Sequence, residues 1–236
     1  MTDSKSGAAP RRGLGAYLAE AIARLSAPGL ALPAVLMLLV LTFSNIVILQ
    51  NLPADGEQPG PGAIAGAAAR ILGLLILSVP LLRILAGSPR SPFRPDGAFF
   101  LSALGTILSL AIGTALILVI GDSQEAAGIA LRTLATTLLL SPLAPWLVGL
   151  AAAVPLGWDP RRFMREVRLW LPHLLFWSML LVFPAAILHA LIDIALVKGE
   201  IDSFWPVALF DGLLSFVMLI LSYALHAIAY RRVARG

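Results

Sequence analysis

The sequence predicts an all-α polytopic membrane protein: six transmembrane helices as three antiparallel hairpins, with both termini cytoplasmic. Three observations predict it. The 236 residues are 59% hydrophobic and only 13% charged, with a mean hydropathy of +0.91, whereas a soluble domain carries about a quarter charged residues. The apolar residues gather into six stretches, and a helix needs roughly 20 of them to cross the hydrocarbon core. The connections between stretches alternate between arginine-rich and acidic.

A polar tail over residues 1–28 precedes a membrane domain over residues 29–236. The tail carries Lys5, Arg11 and Arg12, and the apolar run that follows is long enough to be a retained first span rather than a cleaved signal. Within the tail, Tyr17, Ala21 and Leu25 recur at helical spacing, with Glu20 and Arg24 on another face. The pattern fits either a short helix lying on the membrane surface or a frayed linker touching lipid.

The first span is expected at about Leu30–Leu49 and the second at about Ala63–Ala86. Arg70 and Arg83 interrupt the second, leaving twelve uncharged residues between them. Its place in the charge alternation secures it, because removing it would invert every later loop. The third span, about Ala98–Ile120, is uncharged and carries Gly105, Ser109 and Gly113, a small-residue stripe that lets a neighbouring helix approach closely. The fourth, about Ala126–Val154, holds Arg132 and a strong break at Pro142-Leu143-Ala144-Pro145, read as a kink. The fifth, about Leu169–Val197, contains Pro184, and the sixth runs over about Phe204–Tyr230.

Fourteen of the seventeen basic residues lie in the tail, the second and fourth connections and the C-terminus. The opposite connections hold Asp55 and Glu57, then Asp122 and Glu125, then Lys198 with Glu200 and Asp202. Cytoplasmic loops carry an excess of Lys and Arg, so the expected location is the bacterial inner membrane with both ends inside. The sequence pI of about 10.1 does not imply nucleic acid, because the basic residues are spread between spans rather than gathered on one domain. The expected partners are anionic lipid headgroups, with a protein partner or a homo-oligomer as further options.

The segment Arg161-Arg162-Phe163-Met164-Arg165-Glu166-Val167-Arg168-Leu169-Trp170 places Phe163, Val167 and Trp170 on one helical face with arginines around the rest. This is an interfacial pattern, with Trp158 and Trp170 at headgroup depth. Arg161, Arg162, Arg165, Arg168 and Trp170 therefore form the candidate lipid or partner face. An ordinary juxtamembrane anchor gives the same pattern.

Charges inside spans are expensive and usually face the bundle interior. Arg70, Arg132, His189, Asp193 and Asp211 fall at similar depth toward the outer surface, with His189 and Asp193 four residues apart on one face. They form a candidate polar cluster. It is either a buried ion-pair network that sets helix pairing or a site for an ion, proton or small anion. His173 and His226 lie near the cytoplasmic ends of the last two spans, where a proton or metal site competes with ordinary hydrogen bonding.

Catalytic signatures are missing: the chain has no H-E-x-x-H, no G-x-S-x-G and no Gly-rich phosphate loop. It has no cysteine, which excludes disulfides, thiol chemistry and Cys-ligated zinc. No cofactor is expected, and an intramembrane enzyme using His189, Asp193 and Asp211 stands as a third functional reading that no motif supports.

The hairpin layout, the basic lead-ins and the ending Ala227-Ile228-Ala229-Tyr230-Arg231-Arg232-Val233 resemble bacterial six-helix proteins of the group that includes the glycerophosphodiester phosphodiesterase membrane domain and YciC-type proteins. The segment from Leu150 to Pro172 resembles that group's junction before the fifth helix. A Ser-Trp-x-Leu-Thr-type stretch after the fourth helix is absent. The resemblance implies a membrane-integral, non-catalytic domain and transfers no functional residue. The expected function is thus a non-enzymatic membrane protein that organises lipid or partners through its basic face. A small transporter or an ABC-2-like permease subunit needing a separate ATPase is the alternative.

Overall fold

A computed structural model describes residues 13–52, 59–120, 126–152, 159–201 and 203–235. The described chain is all-helical. In order it comprises α1 (Leu14–Arg24), α2 (Ala31–Asn51), α3 (Pro61–Ala86), α4 (Gly97–Ile120), α5 (Ala126–Leu140), α6 (Ala144–Ala152), α7 (Pro160–Val167), α8 (Leu171–Trp177), α9 (Phe183–Val197) and α10 (Phe204–Arg235), with a π-helical turn at Ser178–Val182. Lys5, Arg11, Arg12, Asp55, Glu57, Asp122, Glu125, Trp158 and Asp202 lie outside the described residues.

Five helical segments are long and apolar enough to cross a membrane: α2, α3, α4, the run Leu171–Val197, and α10. The pair α5 and α6 makes a sixth if taken as one span bent by 48°. The bend falls at Pro142 and Pro145, since a proline cannot donate to the carbonyl four residues back and its ring clashes with it. The π-turn has the same origin. Pro184 lacks an N–H for the turn before it, and a wider turn absorbs the fault.

Every spanning helix turns large apolar side chains outward. Phe43 on α2 is 60% exposed, Leu72 on α3 57% and Phe100 on α4 64%. Continuous outward apolar surface of this extent is what lipid covers. Inside, α2, α3 and α10 pack most closely. Along α2 and α3 the contacts run in opposite order, with Gly62 against Asn51, Gly66 against Ser44 and Gly73 against Val40, so the two helices are antiparallel. α10 also touches α1, α6, α7, α8 and α9, whereas α4 packs mainly on the flank formed by α3, α5 and α6.

One end of the bundle is tied together by arginines. α3 stops at Gly87, whose φ of 68° is the left-handed conformation that glycine adopts without steric cost. The turn satisfies Arg83 O through Ser88 N and Ile84 O through Gly87 N, and arginine side chains bring further donors to the helix end. Arg24 of α1 donates to Leu85 O and Ile84 O at 2.9 and 2.6 Å, and Arg231 of α10 donates to Ala86 O at 2.9 Å. Arg83 is fully buried and donates to Ala151 O at the end of α6, to the carbonyls of Ser91, Pro92 and Arg94, and to the Asp96 carboxylate. These bonds bring the end of α6 to the junction of α3 and α4. Since α4 leads away from that junction, α5 and α6 together run back from the far end of the bundle to it.

The segment of the tail from Leu14 to Arg24 forms α1, and its apolar face meets protein. Tyr17 and Ala21 of α1 are buried against α10, with Tyr17 Oη donating to Leu225 O at 2.6 Å. That burial raises the pKa of the Tyr17 hydroxyl. Glu20 pairs with Arg232 at 3.2 Å, and the Arg232 guanidinium lies 4.6 Å from the Trp170 ring centre.

Candidate functional site

Four helices contribute to a polar network within the spans. α9 presents His189 and Asp193 one turn apart, and α10 presents Asp211 and Ser215 at the same spacing. α2 supplies Asn45 and α3 supplies Arg70. Gly212 makes the arrangement possible: a Cβ there would lie 2.7 Å from Thr42 Cα, so only glycine lets α10 come close enough for Asn45 to reach Asp211. Asn45 Nδ2 donates to Asp211 Oδ2 at 2.7 Å and to Asp193 Oδ1 at 3.4 Å, while its Oδ1 accepts from Arg70 Nη1 at 3.2 Å.

His189 Nδ1 lies 2.7 Å from Asp211 Oδ1. Its Nε2 lies 3.6 Å from Asp193 Oδ2 and 3.3 Å from Ser215 Oγ. Asp211 is fully buried, whereas the Asp193 side chain keeps 31% of its exposure. With both aspartates ionised and Arg70 charged, the network carries one net negative charge. A proton on His189 cancels it. The His189, Asp193 and Asp211 donor atoms lie within 4.8 Å of one another, as a metal site requires. A divalent ion there would neutralise both aspartates and leave the Arg70 charge uncompensated, so the set suits a proton better.

The structure thus joins Arg70, His189, Asp193 and Asp211 of the five predicted cluster residues. The fifth, Arg132, stands on the wall of a cavity beside Ala186 and Ala190 of α9. Arg70 also differs from the expected ion pair. It meets Asn45, which relays it to the carboxylates. Asn45 and Ser215 carry no charge, and a polar residue within an apolar run gives no signal of that kind.

The cavity measures about 620 Å³ and lies between α3, α4, α5, α6, α9 and α10. The small-residue stripe of α4 divides along it. Gly105 packs on Leu147 of α6, whereas Ser109 and Gly113 line the open space. His226 also lines it, so the two terminal histidines have different surroundings: His173 sits between the rings of Tyr17 and Trp170.

On α7, Arg161, Arg162, Arg165 and Arg168 are all exposed. Phe163 and Val167 are fully buried, and Phe163 stacks on Tyr230 of α10 at 6.3 Å. Asp159 caps the helix by accepting from Arg162 N at 3.0 Å. Trp170 is half-buried over Arg232. The apolar face of this segment is docked on the bundle, and the arginines project from it. Neither a protein-family model nor a curated protein nor a solved structure matches the chain.

Proposed function

We propose that the chain is a non-enzymatic, multi-pass protein of the bacterial inner membrane that binds anionic lipid through the arginines of α7. It crosses the bilayer six times with both termini in the cytoplasm. The observation that carries the reading is the division of α7, with its apolar residues buried in the bundle and four arginines left outward. A helix held this way cannot be an embedded anchor, and its charge remains available to headgroups. Six crossings are supported by the run of α5 and α6 between the two ends of the bundle. A common side for both ends of the chain is supported by the docking of α1 on α10.

The reading predicts higher thermal stability in nanodiscs containing phosphatidylglycerol than in nanodiscs of phosphatidylcholine alone. Each arginine near an anionic surface contributes about 1 kcal/mol. Replacing Arg161, Arg162, Arg165 and Arg168 by glutamine should abolish the difference between lipids. An undiminished difference in that variant would remove the basis of the proposal. A permease is the second reading. It is favoured by the single negative charge of the network around His189, which a proton neutralises, and it requires a stoichiometric ATPase or a proton dependence of uptake.

A further inference from the structure

We propose that the cavity between α4, α5 and α9 is a binding site for a neutral lipid whose hydroxyl head docks on His226. The cavity shares no residue with the basic face of α7. Its volume of about 620 Å³ falls in the range of small-molecule sites. It is long, following the run Leu171–Val197 from Ser178 to Ala190, roughly 18 Å of helix at 1.5 Å per residue. Leu82, Leu140, Leu147, Val148 and Val182 supply apolar wall along it. That shape and lining fit a hydrocarbon chain.

The polar groups of the wall assign the head. Thr106, Ser109 and Thr137 already donate to carbonyls one turn back in their own helices, at 3.1, 3.0 and 2.8 Å. The Tyr223 hydroxyl lies 2.6 Å from Ser78 Oγ. Among the described residues no acidic side chain lines the cavity, which leaves a cationic head without a counter-charge. Arg132, on the same wall, already interacts within the chain. His226 is different. It is more than nine-tenths buried, its Nδ1 lies 3.2 Å from Ser222 Oγ, and its Nε2 has no hydrogen-bond partner among the described residues. A buried polar atom demands a partner. Nε2 donates in one neutral tautomer and accepts in the other, and a hydroxyl serves both. His226 stands near the arginine-tied end of α10, so the hydroxyl sits at that end and the chain extends toward Ala190.

The test uses hexadecanol with a diazirine in its chain, photocrosslinked to the whole protein in phosphatidylcholine nanodiscs and mapped by peptide mass spectrometry. Plain hexadecanol, hexadecane and palmitate compete. In the wild type, peptides of α5 and α9 should be labelled, and hexadecanol should protect them about tenfold better than hexadecane, as expected for one hydrogen bond. His226→Phe keeps a ring without its nitrogens and should abolish that preference. A Cβ at Gly113 meets nothing within 4 Å, so Gly113→Leu fills part of the cavity without displacing a neighbour. That variant should lose the labelling with an unchanged melting curve. A wild-type protein without protected labelling would overturn the lipid. Equal protection by hexadecane and hexadecanol would overturn the hydroxyl head, and stronger protection by palmitate would overturn its neutrality. A preference undiminished in His226→Phe would overturn docking on His226, and labelling undiminished in Gly113→Leu would overturn the cavity as the site.

Discussion

Asp211 and Asp193 occupy one network but differ in what removing their charge would do. Asp211 is fully buried, with one oxygen on Asn45 and the other on His189, while Asp193 keeps partial access to solvent. Breaking a buried pair by neutralising one member leaves its partner uncompensated, at a cost of about 3–5 kcal/mol. Asp211→Asn should therefore cut folded yield sharply, and Asp193→Asn should cut it less. Size-exclusion chromatography of the two variants in detergent checks the order, and wild-type yields for both would refute the structural role of the network. Four of its members are legible in the sequence because a charge within an apolar run stands out. Asn45 is not, although it is the residue that touches Arg70 and both carboxylates. Arg83 shows the converse. In the sequence it reads as one more cytoplasmic charge, and in the structure it is a buried tie between α3, α4 and α6.

At the scale of helices, α1 and α7 carry the same lesson. The periodicity of Tyr17 and Ala21, and of Phe163 and Val167, gives each helix its apolar face correctly. Periodicity cannot say whether lipid or protein covers that face, and both faces dock on α10. The bend at Pro142 and Pro145 was readable because proline acts locally, whereas the π-turn before Pro184 depends on how the strain is distributed. The start of α4 allows a test of local electrostatics. Asp96 accepts from Phe99 N at 3.0 Å as the helix cap and from both Arg90 and Arg83. Its partial burial pushes the pKa up, but the bonds from Arg90, Phe99 N and Arg83 outweigh this and hold it at about 2, below the ordinary 3.8. A depressed carboxyl pKa contributes stability that is present above 3.8 and lost as pH falls toward 2. The melting temperature of the wild-type protein in detergent should drop over that window, and Asp96→Asn should start lower and show a shallower drop. Parallel pH profiles for the two proteins would contradict the role of Asp96.

Across the whole molecule the packing is uneven. α2, α3 and α10 form a close-packed side, with Gly66 and Gly212 permitting backbone approach, while α4, α5 and α9 enclose the cavity. Five of the six expected spans were legible as long apolar runs because a helix needs roughly 20 residues to cross the hydrocarbon core, and the sixth is the bent pair α5 and α6. The cavity was not, because a small-residue stripe such as Gly105, Ser109 and Gly113 reads the same whether it meets a helix or empty space. The orientation of the bundle rests on the arginines that gather at one end, and the absence of native cysteine makes it directly measurable. Single cysteines at Arg165, Ala234 and Glu200, all exposed positions, are treated with a membrane-impermeant maleimide in intact spheroplasts and in inside-out vesicles. Six crossings with both termini inside predict that Glu200→Cys reacts in spheroplasts, and that Arg165→Cys and Ala234→Cys react only in inside-out vesicles. Labelling of Arg165→Cys in intact spheroplasts would contradict the account, since it would put the basic face of α7 outside the cell.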